Sequence, residues 1–137
     1  MTKTDREILE NLDMDKLAEV TSLVRTLKKI EWISSRSTGE RTKDGTEIFT
    51  MPYPIYPDGV IDALRLLGSD VNYLKYVDKL RSKDISRMSL TDLRRLFTYY
   101  LRGERFCDGL IVEFVEDGLM LKALERTQQI AEANKPR

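Results

Sequence analysis

The sequence predicts a mostly α, single-domain helical bundle of about five to six helices with a short β-hairpin insert. Three observations predict it. Apolar residues recur at three- and four-residue steps over most of the chain; residues 34–57 break that rhythm with Gly, Pro, Ser and Thr; no second break divides the remainder. A chain of 137 residues is long enough to bury roughly two thirds of its unfolded surface in one core, so 1–137 is read as one domain.

Residues 4–33 read as helical. Leu17, Val20, Val24, Leu27 and Ile30 form one apolar stripe, Asp13 is a good N-cap, and Asn11–Asp13 offers a break between a short first helix and a longer second. In the insert, Trp32–Ser35 and Thr46–Met51 are expected to pair as a hairpin around a polar middle that carries the Asp44-Gly45 turn signal. Three alternating prolines in MPYPIYP then hold residues 51–57 as an extended, polyproline-like strip, expected to lie across the helices.

Helical spacing resumes at Asp58 with Val60, Ile61, Leu64 and Leu67, and stops at Gly68; a further helix is expected over Asn72–Arg81. Ser89-Leu90-Thr91-Asp92 has the form of a capping box, with Asp in place of Glu, and opens a helix whose apolar residues are Leu90, Leu93, Leu96, Phe97, Tyr100 and Leu101. Phe106, Cys107, Leu110, Ile111, Phe114 and Val115 make the next stripe, closed by Asp117-Gly118. The last helix carries Leu121, Leu124, Thr127 and Ala131 and ends in a polar tail at 134–137.

Composition excludes several chemistries. With no histidine and one cysteine, the chain cannot build Ser-His-Asp or Cys-His catalysis, a His-bearing zinc site, or a Cys-ligated cluster on its own. No glycine-rich phosphate-loop motif occurs. Lys+Arg and Asp+Glu balance at 23 each, which removes any global pull toward nucleic acid or anionic membrane. The lone thiol and the absence of a signal-like apolar stretch lead us to expect a cytoplasmic protein. Neither a cofactor nor a metal is predicted, and no catalytic residue is assigned. Glu113, Glu116 and Asp117 gather acidic oxygens but lack a loop that would fix them around a cation.

The densest constellation is RGERFCDG, residues 102–109. Gly103 is expected to end one helix in the left-handed conformation, Glu104 to sit in the first turn of the next, Arg105 and Asp108 to pair, Cys107 to face the core, and Gly109 to lie inside the helix beneath a close backbone. Arg102, Glu104, Arg105 and Asp108 are the candidate ligand-binding residues. The alternatives are a corner with no site, or a thiol activated by neighbouring arginines. A second candidate is Arg95, Tyr99 and Arg102, at i, i+4 and i+7 on one outward helical stripe. It lies within residues 75–105, where nine basic residues face four acidic ones; such a ridge suits a phosphate and a stacked base.

MPYPIYP at 51–57, RGERFCDG at 102–109 and the acidic-Gly step at 117–118 resemble a family of small bacterial proteins known as domain-of-unknown-function family 6508. The resemblance spans about residues 47–125. It implies that RGERFCDG is characteristic of the group, and it supplies no activity. The function expected is a cytoplasmic binding or regulatory module recognising a protein or an anionic ligand. The alternatives are an enzyme using Glu104, Asp108 or Cys107 with Arg102 or Arg105, and a nucleic-acid-associated protein. A membrane partner is not expected.

Overall fold

In a computed structural model, residues 1–135 are described. Seven α-helices occur among them: α1 (Lys3–Glu10), α2 (Met14–Thr26), α3 (Asp58–Arg65), α4 (Val77–Arg81), α5 (Leu90–Gly103), α6 (Leu110–Glu116) and α7 (Leu119–Ala133). Two 3₁₀ turns, Tyr73–Tyr76 and Ile85–Arg87, flank α4. The fold is mostly α with one hydrophobic core, as expected. Of the polar tail, Pro136 and Arg137 lie outside the described residues.

Helix α5 is the central element and packs against α1, α3, α4, α6, α7 and the Tyr73–Tyr76 turn. Its start is written in the sequence: the Ser89 hydroxyl accepts from the Asp92 N–H at 3.2 Å and the Asp92 carboxylate accepts from the Ser89 N–H at 3.3 Å. A second carboxylate reaches the same end from α1. Asp5 accepts from the Thr91 N–H at 2.9 Å and the Thr91 hydroxyl at 2.6 Å, tying residues 86 positions apart. Burial would raise the Asp5 carboxyl, but the bonds from Thr91 and Thr2 outweigh it and hold it below its ordinary 3.8. Behind this end lies the core. Phe97 and Phe114 are fully buried edge-to-face at 6.0 Å, and Tyr100 stacks on Phe114 at 3.9 Å; burial of one such ring contributes about 1.5–3 kcal/mol.

The insert departs from the expected pairing. Four strands occur among the described residues: β1 (Glu31–Ile33), β2 (Ser37–Arg41), β3 (Glu47–Phe49) and β4 (Tyr53–Ile55). They form two separate antiparallel ribbons, β1 with β4 and β2 with β3. The Asp44-Gly45 turn closes β2 onto β3, with Gly45 at φ 88°, so the partner of Thr46–Met51 is Ser37–Arg41. Trp32–Ser35 is displaced: Trp32 stands opposite Pro54 and Ile33 opposite Tyr53. Proline tolerates this place because a two-stranded ribbon is all edge and its missing N–H is not needed. The helix expected to run to residue 33 therefore stops at Thr26, and Leu27 is already extended; Ile30 is nevertheless buried. The proline strip does not lie flat across the helices. Met51, Tyr53 and Ile55 are exposed, and Tyr56 turns in to pack on the core.

Candidate functional site

The corner after α5 differs from expectation at Gly103, Phe106, Cys107 and Gly109, and Glu104 falls at the end of α5 instead of in the first turn of the next helix. Gly103 ends α5 with a negative φ, so no left-handed turn occurs there; a Cβ at this position would instead collide with a δ-methyl of Leu110. The left-handed residue is Gly109, φ 96° and ψ 0°, which starts α6. It lies outside the helix, and the group against it is the Trp32 indole, 3.4 Å from where its Cβ would be. Because α6 begins at Leu110, Phe106 and Cys107 fall in the connecting turns and not on a helical stripe. Phe106 is 85% exposed, and Cys107 is exposed. The thiol therefore does not serve as a small core hydrophobe.

Glu104 is the organising residue of this corner. Its Oε2 accepts from the Gly109 N–H at 2.9 Å and the Tyr56 hydroxyl at 2.8 Å, and its Oε1 accepts from the Ile111 N–H at 2.8 Å. The carboxylate thus caps α6 from five residues upstream and pins the end of the proline strip, supplying acceptors that a glycine N-cap lacks. Burial first, then the bond and charge of Glu104, push the Tyr56 phenol well above its ordinary 10.0. With its oxygens committed in this way, Glu104 is a structural cap. Arg105 and Asp108 are exposed and make no ion pair within 4.0 Å among the described residues, and the two cavities that flank α5 are lined by none of residues 102–109.

The Arg95–Tyr99–Arg102 stripe is not an open ridge along its length: the segment 73–81 packs on it at Arg95 and Tyr99, and Arg102 stays exposed. Arg95 Nε donates to Asp70 at 2.9 Å while its guanidinium lies 3.6 Å from the Tyr76 ring centre. Arg102 sits 5.9 Å from the Tyr73 ring. The Tyr99 hydroxyl accepts from Arg81 at 2.8 Å. Helical spacing correctly placed these three residues on one face; it could not show that this face meets another element of the chain. Asp70 is buried. Burial would raise its carboxyl, but the Asn72 N–H and Arg95 more than reverse this and hold it low.

Of the six candidate residues, Tyr99 lines a cavity between helices. That cavity, about 320 Å³, opens between α4, the Ile85–Arg87 turn, α5 and the start of α7. Val77, Leu80, Ile85, Met88, Leu96 and Leu119 give it apolar walls, of which Leu80, Met88 and Leu96 are buried. Tyr99 and Tyr100 meet edge-to-face at 5.1 Å along one side. Polar groups stand on the lining: Arg81, Lys83 and Lys122 against the single carboxylate of Asp84. Lys83 is paired with Asp92 at 2.6 Å, whereas Lys122 has no ion pair among the described residues. Bonds from the Ser86 N–H and side chain hold Asp84 low, with Arg87 and Lys122 assisting.

Sequence reasoning missed this site. Its signal was the excess of basic residues between 75 and 105, which includes Arg81 and Lys83; Lys122 lies outside that window. No group of three or more acidic or thiol side chains that could hold a metal ion occurs among the described residues. Within the acidic group, Glu116 accepts the Ile30 N–H at 3.5 Å. No helix of the described residues is long and apolar enough to cross a membrane.

Comparisons with known proteins complete the picture. No curated protein and no solved structure matches the chain. The model of a family of unknown function, DUF6508, matches residues 12–133. That match takes in α2 through α7, both β-ribbons, the RGERFCDG corner and every residue lining the α4–α5–α7 cavity, and the chain therefore belongs to the DUF6508 family.

Proposed function

We propose that this chain is a cytoplasmic binding module for a small amphipathic anion, an apolar tail bearing one acidic head group, held between α4, α5 and α7. One observation carries the reading: an apolar cavity of about 320 Å³ has three cationic side chains and a single carboxylate on its lining. The volume falls in the range of small-molecule pockets, roughly 300–1,000 Å³. Transfer of the tail onto Leu80, Met88 and Leu96 supplies affinity at about 0.8 kcal/mol per buried methylene. The head group then finds Lys122, which has no ion pair among the described residues, and Arg81, already oriented by the Tyr99 hydroxyl.

An NMR titration tests the reading with three probes: octyl phosphate, octanol and inorganic phosphate. Octyl phosphate should shift the amides of Leu80, Tyr99 and Leu119 saturably; octanol should do so more weakly, and inorganic phosphate not at all at the same ionic strength. Equal binding of octyl phosphate and octanol would remove the anion from the proposal. Absence of any saturable shift would remove the site.

A further inference from the structure

A second cleft lies on the other flank of α5. Arg94 is about 140–240° around the helix from Leu96, Tyr99 and Tyr100 at 100° per residue, so the core stripe of Leu93 and Phe97 separates it from the cavity described above. The cleft, about 410 Å³, is lined by α1, the end of α3 and α5, and carries Glu7, Arg65 and Arg94 as its charged groups. Arg94 Nε is buried without a hydrogen-bond partner, the one such side-chain atom among the described residues. A buried donor left in this state costs about 1–3 kcal/mol, and its Hε resonance reports any ligand held by the rest of the guanidinium.

The neighbouring groups do not satisfy it. Asp70 gives its oxygens to Arg95 and to the Asn72 N–H. Neither Arg94, Arg65 nor Glu7 forms an ion pair within 4.0 Å among the described residues, with each other or elsewhere. The Asn11 side-chain N–H donates to the Glu7 carbonyl at 2.9 Å, and its oxygen accepts no bond from Arg94 Nε. Two guanidinium groups and one carboxylate therefore share a cleft without touching, beside the buried side chains of Ile8 and Leu67.

We propose that this cleft binds a small amino-carboxylate, its carboxylate held by Arg94 and Arg65 and its ammonium facing Glu7. A planar guanidinium matches a carboxylate in two parallel N–H···O bonds. Glu7 disfavours a phosphate dianion and favours a ligand that brings its own positive charge. The apolar side of the cleft leaves room for a short side chain.

The test follows the Arg94 Nε–Hε resonance of the full chain, labelled with ¹⁵N, against glycine, acetate and inorganic phosphate at neutral pH and constant ionic strength. Glycine should shift it saturably and bind about two- to fivefold tighter than acetate, the factor a partly exposed ion pair supplies. Glu7→Gln should erase that difference, and Arg65→Gln, on an exposed residue, should weaken both probes while leaving the melting temperature in place. No saturable shift with glycine, glycine no tighter than acetate, or phosphate tighter than glycine would each overturn the proposal. Lys122→Gln should leave these titrations unchanged, so the two sites fail or stand separately.

Discussion

The Arg102–Gly109 corner and the α4–α5–α7 cavity are both built on α5, and both concentrate charged and aromatic residues, yet they dispose of their polar groups in opposite ways. At the corner the partly buried carboxylate is committed to structure: Glu104 accepts three hydrogen bonds and holds a helix start and a tyrosine in place. Arg105, Phe106, Cys107 and Asp108 are left exposed. In the cavity the walls are apolar, and the charges at Lys122 and Arg81 are not cancelled by carboxylates. A density of unusual residues in sequence thus marks a demanding turn, whereas the cavity proposed for binding is assembled from residues 77–122 that look ordinary in line.

The largest effect that would break this contrast is at the corner. Glu104→Ala should lower stability by about 2–3 kcal/mol, because two backbone N–H groups and the Tyr56 hydroxyl lose their acceptor in a half-buried place. Denaturant unfolding measures it, and a loss under about 0.5 kcal/mol would return Glu104 to the list of free carboxylates. Gly109→Ala should cost about 1–2 kcal/mol, since a side chain disfavours the left-handed conformation and here also meets Trp32. Gly103→Ala should cost less in the same assay, as only the movable end of Leu110 need shift.

Acid should act on the ties that hold α5. Asp5, Asp70 and Asp92 all ionise below the ordinary 3.8, their hydrogen bonds and cationic neighbours outweighing burial. A carboxyl with a depressed folded value contributes stability that is present above the unfolded value and lost as pH falls through the folded one. The melting temperature should therefore hold from neutrality down to the upper carboxylate range and fall steeply below 3.8. Asp70→Asn should lower it at neutral pH and flatten the acid slope. The smallest effect on stability should come from the cavity: Lys122→Gln should change it by no more than about 0.5 kcal/mol, while weakening octyl phosphate by about fivefold.

How much of this was legible in the sequence varies with the range of the interaction that decides each element. The start of α5 was fully legible because Ser89 and Asp92 decide it within four residues. The Asp44-Gly45 turn was legible for the same reason. The start of α6 was not: periodicity carried the stripe back to Phe106, but Glu104 reaching forward to Gly109 and Ile111 sets the boundary. The pairing of β1 with β4 was hidden because three-residue strands carry too little alternation to choose partners some twenty residues apart. The Arg95–Tyr99–Arg102 stripe was read correctly as a face but is not open along its length, since Tyr76 packs on Arg95 while Arg102 stays exposed. The cavity needed four elements to converge, and no local pattern announces that.

The central claim is that the α4–α5–α7 cavity is the binding site. Calorimetric titration of octyl phosphate into wild type and into Leu119→Trp, whose indole would fill the cavity, tests it most directly. The account predicts a measurable dissociation constant for wild type and loss of binding in a variant that still melts cooperatively at or above the wild-type temperature. Equal affinity in the two proteins would contradict it.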